Sequence, residues 1–215
     1  MNDFARSIPQ LHLPWSEPGF GAAGLLRRYF LHRRICRAAL PLLIVRKPVR
    51  SEYKRVLVPT DFSAGAREAA RLAARAPATA QVTMLHAYGC DARAGRLHGV
   101  RQAPAAQAKR RQVHAAAMTR MDHFRNALNC DRLFLSTAVH FGAPLQVIPS
   151  YAARMQADLV VMAYPCVSGL LPHDATDILD RLLQSTHCDI LLSCPPRRRP
   201  AALRYRGQAL TAAER

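Results

Sequence analysis

From Tyr53 onward the chain alternates short apolar runs with longer stretches in which apolar residues recur every three or four positions. Runs of the first kind read as strands buried on both faces, the second as amphipathic helices. Val56-Leu57-Val58-Pro59-Thr60-Asp61-Phe62-Ser63 anchors the pattern: an apolar run ends in a proline, a hydroxyl and a carboxylate, and the alanine-rich segment Ala64 to Ala76 follows at once. Ser63 is the expected N-cap of that helix, and Glu68 is placed in its first turns, where the helix dipole favours a negative charge. Gln81 to His86 reads as the second strand, and Cys90 to Ala108, rich in Gly, Arg, Ala and Gln, as a long loop. The next helix carries Val113, Ala117, Met121, Phe124 and Leu128 as its apolar stripe. Leu133 to Val139 is a third strand and Gly142-Ala143-Pro144 a turn. A helix then runs to Gln156, with Pro149 expected to delay its start or kink it. Asp158 to Tyr164, almost uniformly apolar, is the fourth and expected central strand. A loop from Pro165 to His173 leads to a helix near Asp174 to Thr186, with Ile178, Leu179, Leu182 and Leu183 inward, and to a last strand, Asp189 to Ser193.

Strands alternating with helices predict an α/β domain with a parallel sheet and helices on both faces. In such sheets ligands sit in the crevice beyond the carboxyl ends of the strands, and Asp61 points there. Upstream, Met1 to Gly24 reads as an irregular arm. Leu25 to Ala39 places Leu26, Phe30, Leu31, Ile35 and Ala38 at helical spacing among arginines, Pro41 to Val45 reads as a strand, and Arg46 to Ser51 as a linker. This helix and strand are too small to fold alone, so they must dock on the main domain or on a partner. The predicted organisation is an arm over 1–24, a helix-strand unit over 25–50, the main domain over 51–196 and a basic tail over 197–215.

The length of 215 residues leaves room for one α/β domain of roughly 150 residues plus this addition. A net charge of +17, carried mostly by arginine, would attract nucleic acid, anionic lipid or an acidic protein. No motif that reads DNA or RNA accompanies it, so the charge reads first as a solvated arginine-rich surface. The six cysteines show no repeated spacing, which reads as reduced thiols rather than a disulfide framework or a zinc site. No apolar run approaches the ~20 residues of a membrane span, and the first residues lack the regions of a signal peptide. A soluble, cytoplasmic protein is expected.

The segment YKRVLVPTDFSAGAREAARLAARAPATAQVTMLHAY resembles the opening of a universal stress protein domain. FGAPLQVI and ADLVVMAY are similar to that family's third turn and fourth strand, and CDILLSC to its last strand. The resemblance implies a five-stranded parallel sheet of order 3-2-1-4-5, in the manner of adenine-nucleotide alpha hydrolases. Leu25 to Pro48 resembles the last helix and strand of another such domain, so the chain resembles a tandem member whose first domain is reduced to that remnant. An incorrectly chosen start codon would give the same picture.

Family members that bind ATP carry Gly, two residues, Gly, nine residues, then Gly-Ser or Gly-Thr after the fourth strand, because backbone amides must approach the phosphates with no Cβ in the way. Laid on this sequence, that spacing falls on Ala163, Cys166, Thr176 and Asp177, none of which matches. A carboxylate at Asp177 beside phosphate would repel it by on the order of 4 kcal/mol at ~4 Å and an effective dielectric of about 20. Pro59, Asp61 and Ala87 match family positions around the ribose and adenine, although Asp61 is also a natural cap for the amides of its own turn. The expected cofactor is therefore none, with ATP the one candidate.

His86, Cys90, His98 and Cys166 have metal-binding side chains, but His86 at a strand end reads as a buried, hydrogen-bonded residue, so no metal is expected. Ser168, His173 and Asp174 share only residue types with a hydrolytic set, and no catalytic residue is expected. The leading reading is a non-catalytic stress-response protein acting through protein contacts. In the family, domains pair through antiparallel last strands; here Leu42 to Val45 is expected to pair with Asp189 to Ser193, with homodimerisation through the same edge as the alternative. Two further classes stay open: an ATP-regulated switch with a rearranged loop, and an anion or nucleic-acid binder using Arg197, Arg198, Arg199, Arg204 and Arg206.

Overall fold

Side chains alternate across each strand, and in this protein both faces are apolar, so every central strand feeds two cores at once. The computed structural model describes residues 8–12, 30–35, 37, 41–46, 52–89, 104–129, 135–164 and 173–193. Its strands are β1 (Gln10–His12), β2 (Leu42–Val45), β3 (Arg55–Pro59), β4 (Gln81–Tyr88), β5 (Leu135–Phe141), β6 (Leu159–Ala163) and β7 (Asp189–Ser193). The helices are α1 (Ala64–Ala73), α2 (Pro104–Asn126), α3 (Pro144–Arg154) and α4 (His173–Ser185), and residues 30–35 are helical as well. One sheet holds all seven strands in the order β1-β2-β7-β6-β3-β4-β5.

The five strands from β3 onward are parallel and follow the expected 3-2-1-4-5 order. The sheet is nevertheless larger than five strands. β2 joins the β7 edge antiparallel, with Leu42 opposite Leu192, Leu43 opposite Leu191 and Ile44 opposite Ile190, as the sequence suggested for 42–45 and 189–193. β1 then adds parallel to β2. The expectation of an irregular arm over 1–24 is therefore corrected at Gln10–His12: Leu11 is buried, and the Leu43 N–H, which faces away from β7, donates to the Pro9 carbonyl at 2.9 Å.

One core layer sets Val56, Val58, Val82, Met84, Leu159 and Val161 against α1 and α2. The other sets Leu57, Leu85, Val160, Met162, Ile190 and Leu192 against α3, α4 and Ile35. Two buried carboxylates tie strand ends together at the opposite rim from the crevice. Asp158 accepts the Lys54 and Arg55 N–H groups at 2.8 and 2.9 Å. Asp189 accepts the Arg46 N–H at 2.7 Å and the Tyr53 hydroxyl at 2.9 Å, which fixes β2 and the start of β3 to β7.

Several boundaries and faces differ from the sequence reading, each for a local reason. Glu68 lies beyond the first turn of α1 and pairs with Arg71 at 2.7 Å instead of facing the dipole. α2 begins at Pro104, so 104–108 is helix rather than loop; a proline suits the first helical position because its missing N–H has no partner there. Val113 is 43% exposed: the stripe is buried only from Ala117 on, because residues 107–116 extend past the sheet. Phe30 is likewise exposed, while Ile35 of the same segment is buried. β5 runs over 135–141, two residues past the expected end at 139, while 133 and 134 lie outside the described residues. α3 starts at once at Pro144 and continues through Pro149, contrary to a delayed start, since a proline this near the N-terminus removes a single intrahelical bond. The loop at 90–103, the 165–172 segment, the tail and five of the six cysteines lie outside the described residues. Cys188 is buried and free, with Sγ 3.1 Å from the Thr186 hydroxyl. Among the described residues no helix is long and apolar enough to cross a membrane.

Candidate functional site

The turn after β3 is built from its own side chains. Thr60 Oγ1 accepts the Phe62 N–H at 3.0 Å, Asp61 Oδ1 accepts the Ser63 N–H at 2.9 Å, and Ser63 Oγ caps α1 by accepting the Ala66 N–H at 3.1 Å. These bonds hold Phe62 in the left-handed region at φ 66°, a conformation a bulky residue adopts only when its surroundings enforce it. The Thr60 N–H donates to the Leu85 carbonyl at 2.8 Å, docking the turn on β4. Asp61 is exposed and spends one carboxylate oxygen on this turn.

His86 stands beside the turn. A carbonyl only accepts, so the 2.8 Å contact to the Thr60 oxygen assigns the proton to His86 Nδ1. Burial is the main cause that lowers the His86 pKa, with the Arg120 charge acting the same way and the Thr60 bond and Asp61 opposing it. The neutral ring packs 4.2 Å from Phe62, which also meets the Phe124 ring edge to face at 5.6 Å and the Arg120 guanidinium at 4.7 Å. This accounts for His86 as a packing residue. Among the described residues no group of three His, Cys, Asp or Glu side chains has the arrangement of a metal site.

Pro59, Asp61, Ala87 and Ala163 all lie at the carboxyl ends of neighbouring strands, β6, β3 and β4. Gly65 in the first turn of α1 meets the end of β6 so closely that a Cβ there would sit 3.1 Å from Ala163 Cβ. Thr176 and Asp177 are half-buried in the first turns of α4, where neither is free of contacts. Cys166, Cys90, His98 and Ser168 fall outside the described residues, as do the side chains of His173 and Asp174.

A contact absent from the sequence reading touches the same rim from the N-terminal side. Tyr164, directly after β6, is 1% exposed, and its hydroxyl lies 2.7 Å from His32 Nδ1, in the helical stretch 30–35. Burial lowers the His32 pKa. Only the apolar spacing of Leu31 and Ile35 hinted that this segment packs inward; the pairing of its histidine with a tyrosine far along the chain carries no local signal.

The model of the Universal stress protein family matches residues 52–193. A universal stress protein structure from Archaeoglobus fulgidus superposes with a TM-score of 0.54 at 12% identity, covering 87% of this chain and 61% of that one. A functionally unknown protein from Pseudomonas aeruginosa gives 0.54 at 13%, covering 90% and 65%. A hypothetical protein described as a test case of structural genomics gives 0.52 at 19%, covering 67% and 97%. This chain thus spans less than two thirds of the first two structures and nearly all of the third. At these identities the likeness is one of fold. No curated protein matches the sequence.

Proposed function

The chain belongs to the universal stress protein family, and we propose that it works there as a non-catalytic stress-response protein, acting through protein contacts and without tight ATP binding. The observation that carries this reading is the contact at Ala163. Where the family's nucleotide-binding members have a bare glycine, this chain has a methyl group packed against Gly65 of α1. On the family's spacing Thr176 and Asp177 fall at the phosphate-facing Gly-Ser or Gly-Thr pair, which sets a carboxylate in the first turns of α4 where an anion would have to be received. Asp61 serves its own turn whether or not a ligand is present.

The reading extends to the sheet edge. β2 lies antiparallel on β7, the relation by which last strands of two family domains meet, so the chain supplies to itself the contact a second domain would make. The larger neighbouring structures, matched over 87 and 90% of this chain, fit that tandem interpretation.

Calorimetric titration with Mg-ATP tests the first part: no saturable heat in the micromolar range is expected, and a micromolar dissociation constant overturns it. Light scattering tests the second. The full chain is expected to be monomeric, and a chain beginning at residue 51 to dimerise through the bared β7 edge; a full-length dimer held by that edge would refute self-pairing.

A further inference from the structure

At the far end of the sheet from β7, a cleft of about 460 Å3 opens where β5 ends and α3 begins. Gly142 makes the junction: its φ of 145° is closed to most side chains, and a Cβ there would strike Val147 at 2.7 Å. The walls are supplied by three separate elements, Arg110 from the overhanging part of α2, His140 and Phe141 from β5, and Gln146, Ser150, Tyr151 and Arg154 from α3. Every ionisable lining residue is basic or a tyrosine; no carboxylate lines the cleft.

The two arginines are held in one particular way. Arg110 lies over the Phe141 ring at 4.1 Å, and Arg154 over the Tyr151 ring at 5.1 Å, with His140 set edge to face against Tyr151 at 5.1 Å. A ring contact of this kind uses none of a guanidinium's N–H donors, which stay available to an oxyanion that they can match bidentately. Neither arginine makes an ion pair among the described residues, whereas Arg71 and Arg125 are each matched to a carboxylate one helical turn away. Gln146 and Ser150 precede Arg154 at four-residue steps, so one stripe of α3 offers an amide, a hydroxyl and a cation to the same space.

We infer that this cleft is a binding site for a small phosphate-bearing ligand, its tetrahedral oxyanions shared between Arg110 and Arg154. It lies on the same carboxyl rim as the family's nucleotide crevice but one strand further out, beyond β4, where His140 is the strand partner of Ala87, and none of its lining residues is one of the family's nucleotide positions. The charge pattern selects the class: two guanidiniums held against aromatic rings and neutral donors with no acidic group favour a multiply charged oxyanion over a neutral or cationic ligand. The volume suits a molecule the size of pyrophosphate or a sugar phosphate.

The test is a titration of the full chain with inorganic phosphate and with pyrophosphate, read by NMR on the His140 ring and the arginine side-chain N–H signals. Saturable shifts are expected, with pyrophosphate the tighter ligand. Arg110→Gln and Arg154→Gln should each weaken it about tenfold, Arg154→Lys should do so partly, and Arg75→Gln, an exposed arginine on another face, should change it less than twofold. Absence of saturation at millimolar pyrophosphate overturns the site. So does an equal loss from Arg75→Gln, which would assign binding to the diffuse charge of the whole protein, or no loss from the two cleft variants.

Discussion

The two edges of the parallel sheet end in opposite ways. At β7 the edge is closed: β2 and then β1 extend the sheet, and all five β7 residues are buried. At β5 the edge is open among the described residues, where the strand pairs with β4 alone, and none of its seven residues is fully buried. An open edge exposes backbone donors and acceptors and invites pairing with other chains, a hazard that polar and bulky side chains reduce. β5 carries Ser136, Thr137 and His140 along its length, and Arg110 lies over Phe141 at its end. β7 has only apolar residues in its interior, Ile190, Leu191 and Leu192, and would be a liability if bare. The chain thus covers the edge it cannot leave in water and leaves uncovered the edge whose side chains tolerate it.

The sharpest way to break this contrast is to weaken each edge equally and compare. Ile44 is fully buried against the second core, so Ile44→Ala should cost about 2–5 kcal/mol. Val139→Ala, on the partly exposed β5, should cost less, about 1–1.5 kcal/mol, because it removes two carbons rather than three from a side chain that packs only in part against the first core. Urea denaturation midpoints of the two variants measure the difference. Equal losses would mean that β2 is not an integral part of the fold.

A smaller effect isolates the staple beneath the closed edge. Tyr53→Phe keeps the ring and removes the hydroxyl that donates to Asp189 Oδ2 at 2.9 Å in a buried setting. The carboxylate is left with an unmet acceptor, and a loss of roughly 1.5–3 kcal/mol is expected. Asp189→Asn in the Tyr53→Phe background should then cost less than in the native chain, and a double-mutant cycle reads the coupling.

The contrast between edges also shows where the sequence was informative. β3, β6 and β7 were legible because uniform apolar runs bounded by turn residues have few other uses, and their order followed from the resemblance to a known family. The pairing of β2 was legible by the same route. β1 was not: three residues among prolines and glycines, with only Leu11 inward, carry too little pattern to register as a strand. Helical spacing told which face of α2 is apolar but not where the sheet stops beneath it, so Val113 was placed in the core. At the family crevice the absence of glycine at Ala163, Cys166, Thr176 and Asp177 was legible only through the resemblance, which supplies the spacing against which they are read. The cleft at β5 was not, since Arg110, His140 and Arg154 come from three elements and each reads as one more cation in a chain with 31 lysines and arginines.

Acid titration compares the two sides through one histidine each. His32 belongs to the N-terminal segment on the β7 side, and His86 to β4 on the β5 side; burial is the leading cause that lowers both pKa values from 6.5. The folded state therefore binds fewer protons than the unfolded chain just below pH 6.5, so stability rises with pH there. Their contribution is intact above pH 6.5 and is lost as the pH falls through the lowered folded values. Unfolding midpoints measured at pH 7.5 and pH 5.5 should drop on acidification, and His86→Gln and His32→Gln should each flatten the drop. A slope unchanged in both variants would assign acid sensitivity to other groups.

The smallest expected effect concerns the part of α2 that overhangs the open edge. Residues 107–116 are all exposed, including Val113, whereas Ala117, Met121 and Phe124 on the same stripe are buried. Arg110 and His114 of this stretch touch Phe141 and Tyr88 at the strand ends, but Val113 is exposed between them, so Val113→Lys trades an exposed β-branched residue for a better helix former and should change stability by no more than about 0.5 kcal/mol in either direction. Thermal unfolding of the variant reads this directly. A loss above about 1 kcal/mol would mean that Val113 is covered in solution, and that the β5 edge is closed like β7, by a contact the isolated chain does not contain.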